Sequence, residues 1–302
     1  MFHQTNLLFQ KIVLIQANKI IAVVGATASG KTQLAIHLAK QYSCEVVNFD
    51  SRQFYKELGI AVAKPSSAEL KEVPHHFINH KSIFDDYNIF HYAIDCRNKI
   101  NQLFTSQKYI ILVGGSGLYL NAVLNGLDPL PPKNINLRDR LQKNFQDKGI
   151  DYLQNELIKL NPKKMKKIDS FNPQRLIRAI EIELGGETTQ KLPSFEKPFE
   201  LEKIAIQWER ETLYNRINDR VDKMVEMGLL KEAQKLFPYK ENNALKTVGY
   251  AELFDYISGQ VTLEIAVNKI KQHSRNYAKR QLTWFNRDSK IRWMQNEQIL
   301  NL

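Results

Sequence analysis

Ile20-Ile21-Ala22-Val23-Val24-Gly25-Ala26-Thr27-Ala28-Ser29-Gly30-Lys31-Thr32 decides the fold. Five apolar, mostly β-branched residues read as a buried strand. The next eight fit glycine, four residues, then Gly-Lys-Thr. Leu34 and Leu38, with Ala35 and Ala39 beside them, begin a helix pattern. The glycines let backbone N–H groups curl around an anion, and the helix N-terminus adds partial positive charge. Lys31 brings a full charge to phosphate oxygens, and the Thr32 hydroxyl suits Mg²⁺. Gly25, Ala26, Thr27, Ala28, Ser29, Gly30, Lys31 and Thr32 are therefore the expected phosphate-binding set. The loop does not say which phosphorylated molecule it holds.

Strand, loop and helix in this order predict an α/β fold: a P-loop NTPase-like parallel sheet with flanking helices. The 302 residues, 43% of them hydrophobic, suffice for a proper core. A net charge of +11 points to a polyanionic partner, nucleic acid first. Two cysteines, Cys44 and Cys96, make neither a disulfide framework nor a zinc pattern and suit a reducing compartment. No apolar run approaches the length of a membrane span. Residues 1–19 lack a basic region before their apolar stretch, so a short extension is expected there rather than a signal peptide.

Glu45-Val46-Val47-Asn48-Phe49 reads as a second strand, running into Asp50-Ser51-Arg52-Gln53. Ligands of open parallel sheets gather outside the carboxyl ends of strands. Asp50 there could accept a proton or hold Mg²⁺; helix capping is the structural alternative. His75 and His76 make a poor metal-ligand pattern, with no nearby Cys, and are assigned structural hydrogen bonds. A helix pattern spans Phe90 to Phe104. Tyr109 to Val113 is a third strand, followed by Gly114-Gly115-Ser116-Gly117-Leu118-Tyr119. That turn suits either close approach of a ligand, with Ser116 facing the cleft, or a plain strand-to-helix connection.

From about 121 to 199 the texture turns helical and basic, with amphipathic stretches at 135–146, 151–160 and 174–184. Pro129, Pro131 and Pro132 mark its entry, and Gly185-Gly186 closes the last helix. This predicts an all-helical insertion, its lysines meeting a phosphate backbone or simply solvent. Residues 1–120 and 200–302 would form the discontinuous core. Ile204 to Trp208 returns to strand character. In the next helix Arg216 and Arg220, four apart, suit a diphosphate, or pair with Asp219 or Asp222. In the last helix, Leu263 to Phe285, Lys271, Arg275 and Lys279 make a basic stripe interleaved with Tyr277, Trp284 and Phe285. Such a face suits RNA, or its aromatics serve the core.

Seven stretches together resemble the tRNA dimethylallyltransferase (tRNA isopentenyltransferase) family: the loop at 25–32, Asp50-Ser51-Arg52-Gln53, Ala63-Lys64-Pro65, Val73-Pro74-His75-His76, Gly114 to Tyr119, Asn172 to Ala179, and Tyr277-Ala278-Lys279-Arg280-Gln281-Leu282-Thr283-Trp284-Phe285. The resemblance spans Ile20 to Phe285. It implies transfer of a dimethylallyl group from dimethylallyl diphosphate, with Mg²⁺, to the exocyclic amine of the adenosine 3′ of the anticodon (position 37). The tRNAs would be those reading codons that begin with U. It implies Asp50 as general base, Ser116 at the reacting nucleoside, and Lys31 on the leaving group. Ser51, Arg52, Gln53, Arg138, Gln174, Arg175, Leu176, Ile177 and Arg178 match tRNA-contacting positions, to which the stripe adds Arg275 and Lys279. Ala26, Ala61, Val62, Asn79 and Asp169 depart from the family's usual residues; none of these departures removes a proton acceptor or a phosphate ligand. A cytoplasmic monomer, bound to the anticodon stem-loop and no membrane, is expected.

Overall fold

The computed structural model describes residues 17–127, 131, 133–185 and 191–295. They fall into two compact units, one running to Asn125 and resuming at Pro193, the other spanning Gly126–Leu192. The expectations for residues 1–16, Pro129, Pro132 and Gly186 lie outside the described residues.

The larger unit begins with β1 (Asn18–Val24), α1 (Lys31–Gln41), β2 (Val46–Asn48), α2 (Ser67–Glu72), β3 (His75–His76), α3 (Ile89–Leu103), β4 (Tyr109–Val113) and α4 (Gly117–Asn125). The smaller unit holds α5 (Ile135–Lys148), α6 (Ile150–Leu160), α7 (Pro162–Met165) and α8 (Pro173–Gly185). The chain then returns to the larger unit as β5 (Phe199–Gln207), α9 (Arg210–Glu226), α10 (Leu229–Leu236), α11 (Tyr250–Ile257), α12 (Leu263–Phe285) and β6 (Ile291–Gln295).

The six strands form one sheet in the order β3-β2-β4-β1-β5-β6, every neighbouring pair parallel. Ile20 to Val24 and Ile110 to Leu112 are all buried, because helices cover both faces of the central strands. That is why these strands read as continuous apolar runs. Parallel pairing sets the carboxyl ends of β2, β4, β1 and β5 side by side, so Asp50, Gly114, the phosphate loop and Trp208 emerge along one rim.

Several strands differ from the sequence reading. β5 begins at Phe199, not Ile204, because its first half is only partly covered and carries Glu200, Glu202 and Lys203. Glu202 is held there by Lys19 at 2.7 Å and Arg292 at 2.7 Å. β6 was not expected, since only Ile291 and Met294 of its five residues are buried. Asn18 also extends β1, and β2 is confined to Val46–Asn48. His75 and His76 form the short edge strand β3: His75 Nδ1 meets the Val73 carbonyl at 2.9 Å, and His76 Nε2 meets Glu45 at 2.5 Å.

In the smaller unit α5, α6 and α8 enclose Leu141, Leu153, Leu157, Leu176, Ile177, Ala179 and Ile180. Asn172 caps α8, its side chain accepting from Arg175 N at 3.1 Å, with Pro173 as the first helical residue. Beside this core Glu181 is 1% exposed. It accepts from Arg138 Nε at 2.8 Å and Nη2 at 2.6 Å, from Arg178 Nη1 at 2.5 Å and from Asn134 N at 2.6 Å. Burial alone would raise its carboxyl; the hydrogen bonds from Arg138 and Arg178 outweigh that and hold it down to about 2. The carboxylate thus fastens α5 to α8 as an ion, fully hydrogen-bonded as a buried charge must be.

Candidate active site

The phosphate loop joins β1 to α1. Gly30 has φ +96°, a conformation that side-chain-bearing residues rarely adopt, and it brings the chain into α1. Ala28 adopts φ 61° without being glycine, so the loop is held by its surroundings. Those surroundings occupy carbonyl oxygens, which would repel an anion. Lys31 Nζ donates to Ala26 O at 2.5 Å, Arg216 Nε to Ala28 O at 2.9 Å and Trp208 Nε1 to Ser29 O at 2.9 Å. Arg220 Nη1 reaches Thr27 Oγ1 at 3.2 Å. Arg216 also lies over the Trp208 ring, 4.4 Å from its centroid. Arg216 and Arg220 therefore turn to the phosphate loop rather than to Asp219 or Asp222.

The loop opens on a cavity of about 460 Å³. Its walls include Lys31, Thr32, Asp50, Arg216, Arg220 and Tyr277. Asp50 lies on the rim where β2 ends. Its backbone N–H donates to Asn48 Oδ1 at 3.1 Å, and its Oδ1 accepts from Arg52 N at 3.0 Å. No helix starts there, so that oxygen steadies a turn rather than capping a helix. No hydrogen bond among the described residues takes the other. Burial, then the charge of Arg220, pushes the Lys31 ammonium down to about 8, while Asp50 acts the other way. Two crowded cations with a carboxylate in reach make a place that favours an incoming anion.

A second recess of about 100 Å³ opens between Asp50, Arg220 and Tyr277 on one side and Ile217, Val221, Met224, Val248 and Ile270 on the other. Ser116, after β4, accepts from Ser51 N at 3.2 Å and lies 3.4 Å from the Ser51 hydroxyl. It also exchanges a hydrogen bond with Tyr277, whose phenol burial raises to about 12. Asp50, Ser116 and Lys31 are thus brought to one rim, with Tyr277 touching both sides. The sequence reading left Tyr277 between an RNA-facing stripe and the core; it lines the cavity. Gln281, one turn on, bonds both the phosphate loop and the glycine turn; the sequence reading had it within the stretch 277–285 but gave it no role.

Several expected RNA-contacting residues are otherwise engaged. Leu176 and Ile177 lie in the core of the smaller unit and offer an RNA no side chain. Gln53 spends its amide on the carbonyls of Val62 at 3.1 Å and Ala63 at 3.0 Å. Arg52 reaches Asn243 O at 3.2 Å. In the α12 stripe Lys271 pairs with Asp222 at 2.6 Å and Arg275 bonds Asn218 at 2.6 Å, both across to α9, whereas Lys279 is exposed. Gln174 and Arg175 are exposed on α8, and Arg138 and Arg178 are shared with Glu181.

A family model described as IPP transferase matches residues 53–288. The chain belongs to the tRNA dimethylallyltransferase family. The tRNA dimethylallyltransferase of Christiangramia forsetii is 44% identical over 285 residues, covering 92% of this chain and 94% of its own. That of Flavobacterium johnsoniae is 44% identical over 284 residues, covering 91% and 92%. The solved tRNA isopentenylpyrophosphate transferase of Bacillus halodurans superposes with a TM-score of 0.70 at 35% identity, covering 94% of each chain. A eukaryotic dimethylallyltransferase captured acting on tRNA gives a TM-score of 0.72 at 27% identity, covering 92% of this chain and 74% of its own. The P-loop-like sheet with flanking helices is the fold of this prenyltransferase family, and no helix among the described residues is long and apolar enough to cross a membrane.

Proposed function

We propose that this member of the family transfers a dimethylallyl group from dimethylallyl diphosphate to the exocyclic amine of adenosine 37 in tRNAs reading codons that begin with U, releasing diphosphate. The supporting observation is the sharing of one cavity by the Asp50 carboxylate and the cations Lys31, Arg216 and Arg220. Diphosphate lies on the loop at 25–32. The dimethylallyl tail occupies the apolar recess at Ile217, Val221 and Met224, next to Asp50.

The amine nitrogen attacks the allylic carbon, a C–N bond forms, and the C–O bond breaks with its electron pair leaving on pyrophosphate. The proton of the amine passes to Asp50. An adenine amine is a poor nucleophile, so a carboxylate accepting its proton as the bond forms lowers the barrier. Lys31 and the two arginines stabilise charge growing on the leaving group. Among the described residues no group of three or more His, Cys, Asp or Glu side chains could hold a metal alone. Thr32, in the cavity wall, would hold Mg²⁺ through its hydroxyl, and the ion would neutralise leaving-group charge.

The acceptor base leaves the anticodon-loop stack to reach Ser116, a small cost in single-stranded RNA. The exposed Lys163, Lys166, Lys167 and Arg175 of the smaller unit supply contacts to phosphate. A cytoplasmic monomer follows from the same reading, since tRNA would cover much of the basic surface. Mass spectrometry of total tRNA nucleosides, with and without the gene, tests the function. Isopentenyladenosine and its derivatives are expected to vanish on deletion; their persistence at the normal level would reject the assignment.

A further inference from the structure

We infer that Gln281 is a positioning residue for the transfer step: its amide fixes the donor-side phosphate loop against the acceptor-side glycine turn, and so sets the separation of the two substrates. The inference rests on the function proposed above.

Gln281 lies on α12 and is 5% exposed. Its Oε1 accepts from Thr27 N at 2.8 Å, and its Nε2 donates to Gly115 O at 3.0 Å. The partners dictate the orientation of the amide, because Thr27 offers only a donor and Gly115 only an acceptor at these atoms. Packing is equally specific. A Cβ placed on Gly115 would lie 2.1 Å from Gln281 Nε2 and 3.5 Å from Gly25 O. A side chain at Gly115 would push this amide out of its present position.

Residues 277, 281 and 284 form one stripe of α12, at the spacing that aligns side chains along a helix face. Each meets the turn after β4. Tyr277 bonds the Ser116 hydroxyl, Gln281 bonds Gly115, and Trp284 lies so close to Gly117 that a Cβ there would come 2.1 Å from its Nε1. Of the three, only Gln281 also bonds the phosphate loop. No direct hydrogen bond joins residues 25–32 to residues 114–117 among the described residues. Beyond the ends of β1 and β4, the hydrogen-bonded link between the two loops is this one amide.

A displacement needs its reacting atoms held about 3–3.5 Å apart, and a 1 Å error can cost about a hundredfold. A side chain that sets this separation should act on turnover more than on the affinity of either substrate. A buried amide serving stability alone would lower thermal stability, or weaken both ligands, and leave turnover of the folded enzyme intact.

The test uses the full-length protein. Gln281→Met keeps the chain length and loses both hydrogen bonds. Gln281→Glu keeps the acceptor for Thr27 and loses the donor to Gly115. Prenylation kcat on tRNA is expected to fall about 30–100-fold in Gln281→Met and at least as far in Gln281→Glu. Binding of inorganic pyrophosphate and of tRNA should stay within about threefold, the KM for dimethylallyl diphosphate likewise, and Tm within a few degrees. A kcat within threefold of wild type in whichever variant folds would overturn the inference. So would a loss of kcat matched by an equal loss of pyrophosphate binding. A wild-type control that leaves tRNA unmodified would instead reject the function, an outcome distinct from an active wild type with an equally active variant.

Discussion

Asp50→Ala is expected to lower tRNA prenylation by about a hundredfold or more, or about 2.7 kcal/mol of barrier, while tRNA affinity changes by only a few-fold. The loss falls on turnover because the carboxylate matters when the amine gives up its proton, and the RNA is held mainly elsewhere. One Asp50 oxygen also steadies the turn at Arg52, at 3.0 Å. Asp50→Asn separates the two duties: it keeps an oxygen for that turn and removes the proton acceptor. Single-turnover rates on tRNA, with binding measured in parallel, should show both substitutions equally slow. Full activity in Asp50→Asn would remove the residue from proton transfer and leave it only the turn.

Lys31→Ala is expected to weaken inorganic pyrophosphate by about 10–100-fold, the weight of a charge-assisted hydrogen bond, and to slow turnover as well. Burial, then the charge of Arg220, pushes the ammonium down to about 8 in the unliganded protein. An anion favours the charged form, so ligand binding restores the proton. The sign follows: as pH rises through about 8 the free enzyme loses this charge, and pyrophosphate binding should weaken. Pyrophosphate's own titration is common to both proteins. The ratio of wild-type to Lys31→Ala affinity, measured by calorimetry from pH 7 to 9, should therefore shrink as pH rises. A ratio near one throughout would show that Lys31 does not touch the diphosphate.

Much of the frame was legible because single residues dictate it. The apolar run Ile20–Val24 before Gly25 announces strand and loop together. Tyr109–Val113 and Leu263–Phe285 coincide with β4 and α12. The start of β5 was hidden because half-covered strand positions tolerate Glu200, Glu202 and Lys203. In the site, Lys31 and Thr32 follow from the loop's own pattern, and Arg216 and Arg220 from their spacing.

What stayed hidden depends on contacts distant in sequence. Nothing near Arg138 says that Glu181, 43 residues on, will take it as a partner. Nothing near Gln281 says that it bonds Thr27, 254 residues back. Tyr277 and Lys271 belong to a basic, aromatic stripe when read along the helix. Packing against α9 and the Ser116 turn then divides that stripe, giving Tyr277 to the cavity and Lys271 to Asp222.

The central claim is that a proton-accepting carboxylate and a diphosphate cradle in one cavity serve an RNA acceptor. The purified protein, given labelled dimethylallyl diphosphate and Mg²⁺ with either unmodified tRNA or free AMP, tests it most directly. Label is expected on tRNA at a single adenosine beside the anticodon, with little on AMP. Label on AMP and none on tRNA would contradict the account.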